Sequence, residues 1–348
     1  MKVLNAIEDR ANLPRPPHCA SEELLAVCDL SVDFRSDKNH RSSALRKAGF
    51  TIAPGEIVGI LGESGSGKTT LASAIMQLLP SSAQVIAGRM HFRGENLSTL
   101  NAQRLREIRG STISLIHQSS DVLNPVMRAG DQIIEVLRAH KRSSSAAMKD
   151  QVYKLLAAMG FDNCDRIFRA YPHQLSGGQR RRIAIAQALI CKPCLVIADE
   201  PSAWLDPATT AKILSLFKEL RDLSGTAFLL ISHDLATLSV ADRVLVMYAG
   251  EIVESAPFDE IQSDPKHPYT RALLDCGERS FPPQNGGSRQ NRFPCIPGQA
   301  PDPSEMIPGC AFAGRCSDRM EICDTDRPEL IDISARSTVR CFKYAERD

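Results

Sequence analysis

A chain of 348 residues suffices for one large domain with a smaller one attached, and 43% hydrophobic residues can bury a full core, which excludes a disordered protein. Lys and Arg number 42 against 41 Asp and Glu, and a net charge of +1 gives no electrostatic footprint for nucleic acid. No run approaches the roughly 18 consecutive apolar residues of a membrane-spanning helix, and Glu8, Asp9 and Arg10 have no apolar stretch behind them, so a soluble cytosolic protein is expected, with any membrane role peripheral.

Residues 1–21 are polar and carry Pro14, Pro16 and Pro17, as a loose N-terminal extension does. From Leu24 to about Ile261 short apolar runs alternate with helical patterns, the signature of an α/β domain, set here at 22–262. Ile57–Leu61 reads as a buried strand, followed by a glycine-rich turn and a helix over Thr69–Leu79. The stretch from Ala102 to Met159 is helical in pattern apart from a strand at Ile113–Ile116, and forms a helical subdomain. Gln179–Ile190 and Thr209–Leu220 read as helices, and Leu195–Ala198, Ala227–Ile231 and Arg243–Met247 as core strands. Past Ser263 come Pro282, Pro283, Pro294, Pro297, Pro301, Pro303 and Pro308, which argue against long helices or a regular sheet. The small irregular extension over 263–348 therefore has to dock or be stapled.

Gly62-Glu-Ser-Gly-Ser-Gly-Lys68-Thr69 fits G-x-x-x-x-G-K-[ST] between a predicted strand and a predicted helix, the context this motif requires. Such glycines turn backbone N–H groups inward around phosphate oxygens, and the helix N-terminus adds positive potential. Gly62, Ser64, Gly65, Ser66, Gly67, Lys68, Thr69 and Thr70 are the expected contacts, with Lys68 on the β- and γ-phosphates and Thr69 on Mg²⁺. A glycine-rich turn with an incidental lysine is the plain alternative, and the motif alone leaves kinases and GTPases open.

A second constellation narrows this. Leu175-Ser176-Gly177-Gly178-Gln179 opens a helix carrying Arg180, Arg181 and Arg182; Leu195-Val-Ile-Ala-Asp199-Glu200-Pro201 is an apolar strand ending in two carboxylates; Asp206 follows, and His233 ends the next strand. In this order the motifs resemble the ABC ATPase family over about Leu24–Ile261. Asp199 at a strand end suits a hold on Mg²⁺, and Glu200 would orient or deprotonate the attacking water. The resemblance implies that His233 contacts the γ-phosphate, that Gln118 senses the γ-phosphate and Mg²⁺ beside a membrane subunit, and that Phe34 stacks on adenine rather than serving as an ordinary core aromatic. It also implies that Ser176, Gly177, Gly178, Gln179 and Asp206 face the nucleotide of an opposite protomer, identical or paralogous. Two departures stand out: the stretch from Gln118 to Asn124-Pro125 is one residue short of the usual pattern, and Trp204 occupies a position that is normally small.

His267-Pro-Tyr-Thr-Arg-Ala-Leu-Leu274, Ile296-Pro-Gly-Gln-Ala-Pro-Asp302 and Gly309-Cys310-Ala-Phe-Ala-Gly-Arg-Cys316 resemble the C-terminal extension of the dipeptide, oligopeptide and nickel importer ATPases. Together with Leu123-Asn-Pro-Val-Met127 they imply an ATP-hydrolysing subunit that drives import of peptides or a related solute, peripheral on the inner face of the cell membrane. Its implied partners are a second ATPase subunit, two integral-membrane permeases and an extracytoplasmic solute-binding protein, and no nucleic acid. The competing class is a soluble ABC ATPase acting on ribosomes or nucleic acid, which usually carries two cassettes or a long coiled-coil insert.

Eleven cysteines is a high count for a reducing compartment, and Cys295, Cys310, Cys316, Cys323 and Cys341 crowd the tail. Cys310, Cys316, Cys323 and Cys341 are the expected ligands of a [4Fe–4S] cluster stapling the extension, as in some members of the resembled branch, with Cys295 as the substitute ligand. Zinc and free, inert thiols are the alternatives; zinc usually takes tighter pairs than this spacing offers. Cys191 and Cys194 read as small buried residues.

Overall fold

A computed structural model of the protein describes residues 23–35, 41–119, 122–140, 144–278, 296–305 and 307–345. Along the chain run β1 (Leu25–Arg35), β2 (Arg41–Ile52), β3 (Ile57–Leu61), α1 (Lys68–Ile75), β4 (Ala83–Phe92), β5 (Glu95–Asn96), α2 (Ala102–Ile108) and β6 (Ile113–Ile116). Next come α3 (Ala129–His140), α4 (Ser145–Ala158), α5 (Cys164–Arg169), α6 (Gly177–Leu189), β7 (Leu195–Asp199), α7 (Pro207–Ser224) and β8 (Ala227–Ser232). The last third holds β9 (Arg243–Tyr248), β10 (Glu251–Pro257), α8 (Phe258–Ser263), α9 (Pro268–Glu278), α10 (Ile322–Thr325), β11 (Ile331–Ser334) and β12 (Ser337–Val339). The N-terminal extension expected at 1–21 and Cys295 lie outside the described residues.

Two compact units emerge, each assembled from separated stretches of chain. The first contains Thr51–Ile57 and His91–Ile231. Its β6, β7 and β8 are parallel neighbours, in register from Ile113 opposite Leu195 to Asp199 opposite Ile231. Leu195, Val196, Ile197 and Ala198 have no exposed surface, as do Ala227–Ile231. Continuous apolar runs of this kind are what strands covered on both faces require.

Helices α3 and α4 fall in the stretch from Ala102 to Met159 expected to be helical, and α5, which lies beyond it, packs with them in that unit. Ser144 caps α4 by accepting the Ala147 N–H, and Met148, Val152 and Leu156 put one buried stripe along it. Gly130 on α3 lies against the Phe168 ring of α5, where a Cβ would come within 2.2 Å. The α7 helix begins at Pro207, capped by Asp206, and stops at Gly225 in the left-handed conformation, so it exceeds the expected Thr209–Leu220 at both ends.

The second unit comprises the described parts of Val27–Phe50, Val58–Met90 and Ser232–Asp348. Its β9 runs parallel to β3 and antiparallel to β10. Here the tail departs from expectation. Despite its prolines, β12 pairs with β10 (Val339 opposite Glu254) and β11 pairs with β12, so the extension lengthens the sheet as a hairpin. The prolines at 297, 301, 303 and 308 precede the hairpin and spare its hydrogen bonds. An 11-residue helix, α9, also follows His267. Its start is fixed by buried Glu254, whose carboxylate accepts the N–H groups of Lys266 (2.6 Å) and His267 (2.9 Å).

Candidate functional site

In the second unit β3 is wholly buried and delivers the chain into the glycine loop. Gly65 (φ +82°) and Gly67 (φ +103°) adopt conformations that side chains disfavour, and a Cβ on Gly67 would approach the Ala44 carbonyl to 2.6 Å. Gly67 is the N-cap of α1, with no side chain capping the helix start. Lys68 is buried and folds back over the turn, its Nζ donating to the carbonyls of Gly62 (2.8 Å) and Glu63 (2.7 Å) and to Ser66 Oγ (3.3 Å). A lysine at a helix start beside a glycine turn is an arrangement suited to phosphate. Ser66 is buried, while Ser64 and Thr69 are exposed and Thr70 half-buried.

In the first unit β7 ends on buried Asp199 and Glu200. Glu200 has φ +50°, an arrangement costing about 1–3 kcal/mol for a residue with a side chain. Its N–H donates to Ile231 O at 2.9 Å. Its carbonyl accepts from a residue that sequence reasoning passed over, Arg181 on α6. This guanidinium has no exposed surface and donates to the carbonyls of Asp199 (2.8 Å), Glu200 (2.6 Å) and Pro201 (3.3 Å), to that of His117, and more weakly to that of Gln118 (3.4 Å). It therefore gathers the ends of β6 and β7. Burial lowers its pKa to about 10, against which the charges of Asp199 and Glu200 work, so it stays cationic at neutral pH. The available signal was helical phase: Arg181 shares a stripe with buried Ile185 and Leu189 four and eight residues on.

Ser176 caps α6 by accepting the Gln179 N–H (3.2 Å), and the Gln179 side chain accepts the Ser176 N–H in return (3.1 Å). Gly178 lies against the backbone of Trp204, whose carbonyl would be 3.2 Å from a Cβ there, while a Cβ on Gly177 would meet open space. Trp204, at φ +67°, keeps 77% of its surface exposed, which rules out a ring packed inside one unit. Asp206 accepts from the Thr209 N–H (2.9 Å) and hydroxyl (2.7 Å); the hydroxyl bond is the main cause holding its carboxyl below the usual range. Gln118 is exposed just past β6, which ends at Ile116. On α3, buried Gln132 accepts the Asn124 N–H (2.9 Å) and donates to the carbonyls of Asn124 (3.0 Å) and Met127 (2.9 Å). That clasp shapes a loop on which Val126 is 79% exposed. In the second unit His233 is exposed and Phe34 half-buried on β1.

Cys310, Cys316, Cys323 and Cys341 all line one small pocket with His267, Pro268 and Phe312. Burial pushes the Cys310 thiol up to about 11 and raises those of Cys316 and Cys341. Buried His267 accepts the Tyr269 N–H at Nδ1, and burial followed by Arg271 lowers its pKa to about 3, so it stays neutral. Among the described residues no three His, Cys, Asp or Glu side chains form a ready cage for a metal ion. The expected cluster site thus has converging thiols but no closed cage. Cys191 is buried and Cys194 half-buried.

A strand, a glycine loop with an overlying lysine and a helix in one unit, and a buried carboxylate pair at a parallel strand end in the other, are the marks of a P-loop nucleoside triphosphatase. The comparisons narrow the class. Residues 45–203 match the family "ABC transporter", and residues 253–323 match "Oligopeptide/dipeptide transporter, C-terminal region". The oligopeptide transport ATP-binding protein AppD of Bacillus subtilis is 41% identical, covering 93% of this chain and 97% of its own. The dipeptide transport ATP-binding protein DppD of the same organism is 40% identical over 94% of this chain and 96% of its own. Among solved structures, the ATP-binding cassette MJ0796, captured as a dimer in a post-hydrolysis state with ADP and Pi, superposes with a TM-score of 0.63 at 26% identity, over 67% of this chain and 98% of that one. The chain belongs to the ATP-binding subunits of ABC transporters, in the oligopeptide/dipeptide branch. It is an ATPase whose hydrolysis is coupled to solute transport across a membrane, with ATP and Mg²⁺ as its expected ligands. None of these matches mentions an iron–sulfur cluster. No described helix is long and apolar enough to cross a membrane.

Proposed function

We propose that this subunit powers uptake of peptides, working from the inner face of the cell membrane with two permease subunits, an extracytoplasmic binding protein and a second ATPase subunit. The observation that carries the solute class is the match of residues 253–323 to the oligopeptide/dipeptide transporter C-terminal region. The exposed Val126, on a loop held by Gln132, is an apolar contact suited to a permease. Reconstituted with its permeases in vesicles, the protein should drive ATP-dependent accumulation of di- or oligopeptides; accumulation of nickel and no peptide would overturn the solute class.

In this reading Gly62, Ser64, Gly65, Ser66, Gly67, Lys68, Thr69 and Thr70 bind the phosphates, and Phe34 meets adenine. Mg²⁺, when bound, draws charge off the phosphates, and Thr69, Gln118 and Asp199 would hold it. Glu200 takes the proton of the attacking water, and His233 steadies the γ-phosphate. Ser176, Gly177, Gly178, Gln179 and Asp206 serve the nucleotide of the opposite subunit. The capped start of α6 supports this, since its free N–H groups suit an anion.

The exposed Trp204 supplies a reporter for that pairing, being the chain's one tryptophan. Adding Mg-ATP to Glu200→Gln protein should shift its emission to shorter wavelength as a partner covers the ring. An unchanged spectrum, with sizing that confirms a dimer, removes Trp204 from the seam.

The same reading assigns a [4Fe–4S] cluster to Cys310, Cys316, Cys323 and Cys341, supported by a pocket that all four line. Its role is structural, as ATP hydrolysis needs no electron carrier. Protein purified without oxygen should be brown and carry roughly four irons per chain. Colourless, iron-free protein would overturn this assignment and leave the ATPase standing.

A further inference from the structure

The glycine loop contains a charge that its proposed ligand should not tolerate. Glu63 stands between Gly62 and Ser64, so a carboxylate sits in a turn built to receive a polyphosphate. At separations within the Debye length of about 8 Å, an unpaired carboxylate opposes an incoming anion. Glu63 is not unpaired. Arg315, from the C-terminal extension 252 residues away in sequence, grips it with two prongs: Nη1 to Oε2 at 2.7 Å and Nη2 to Oε1 at 3.0 Å.

This pair is built in, unlike a chance surface contact. The Arg315 side chain is only 7% exposed and that of Glu63 29%. The guanidinium is fixed from behind by Pro297 O (2.9 Å from Nε) and Ile296 O (3.4 Å from Nη2), and Nη1 also donates to Tyr248 Oη at 3.3 Å. The loop side is fixed as well, because the Glu63 N–H donates to Tyr269 Oη at 2.8 Å. Tyr248 and Tyr269 pack on each other and on Phe312, which leads into the segment bearing Arg315. A two-pronged arginine–carboxylate pair held in place on both sides is the strong form of this interaction.

We propose that Arg315 is a positioning residue for nucleotide binding: it neutralises and immobilises Glu63, so that the glycine loop of this chain accepts a polyphosphate only with its C-terminal extension docked. The extension is thereby part of the nucleotide site's electrostatics, a role that sheet pairing alone does not give it. The inference rests on the glycine loop being the ATP site.

The test is the affinity of the purified full-length chain for Mg-ATP. Arg315→Met should weaken binding about tenfold, the size expected when one charge-assisted pair is lost. Glu63→Gln should bind at least as well as wild type, and the double variant Arg315→Met/Glu63→Gln should return to within about threefold of it. Arg315→Lys keeps the charge but loses the two-pronged grip and should fall between wild type and a tenfold loss, which serves if Arg315→Met does not fold. A structural role alone would leave the double variant as weak as Arg315→Met, and that result overturns the proposal. So does Arg315→Met binding as wild type, or Arg315→Lys failing by tenfold. Wild-type protein that binds no ATP would overturn the ATP site itself together with this inference, whereas normal wild-type binding with unaffected variants removes the inference alone.

Discussion

Replacing Glu200 with Gln is expected to lower ATP turnover by about 10²–10⁴-fold while ATP still binds. Gln keeps the shape of the side chain and loses the charge that draws a proton from water. The backbone of Glu200 is held at φ +50° by the Ile231 carbonyl on one side and Arg181 on the other. A strained residue retained at a strand end is worth its cost when its side chain has a fixed task. Measured on the complete transporter, hydrolysis by Glu200→Gln close to the wild-type rate would remove Glu200 from the chemistry.

Arg181→Met should destabilise the protein by about 3–5 kcal/mol, the cost of breaking a buried charged network from one side. Methionine matches the arginine stem in bulk but donates nothing to the carbonyls of His117, Asp199, Glu200 and Pro201. The denaturant midpoint should fall, and whatever folds should hydrolyse ATP poorly, since the strand ends carrying Gln118 and Glu200 lose their common anchor. Arg181→Lys should recover part of the stability, because one ammonium cannot reach as many carbonyls as a guanidinium. An unchanged midpoint for Arg181→Met would show that the network contributes little.

Much of this was legible in the sequence because its signals are local. The runs at Ile57–Leu61, Leu195–Ala198 and Ala227–Ile231 are continuous and apolar, and the structure buries them completely. The glycine loop is a short turn whose backbone demands show in its residue types. Strands β1, β2 and β4 were harder to read, since their burial patterns mix buried, half-buried and exposed positions. In the tail, proline content spoke against a sheet, yet β12 needs only a few pairings onto β10 and β11 a few onto β12, and those fall where proline is absent. The Arg315–Glu63 pair is set by docking between residues 252 apart, so no window of sequence contains it.

Titration of Mg-ATP into the wild-type chain and into Lys68→Ala measures directly whether the glycine loop is an ATP receptor. Lys68 is the buried cation folded over Gly62, Glu63 and Ser66, and its removal should weaken ATP binding by about tenfold or more, as a charge-assisted contact to phosphate predicts. Equal binding by the two proteins, or none by the wild type, would contradict it.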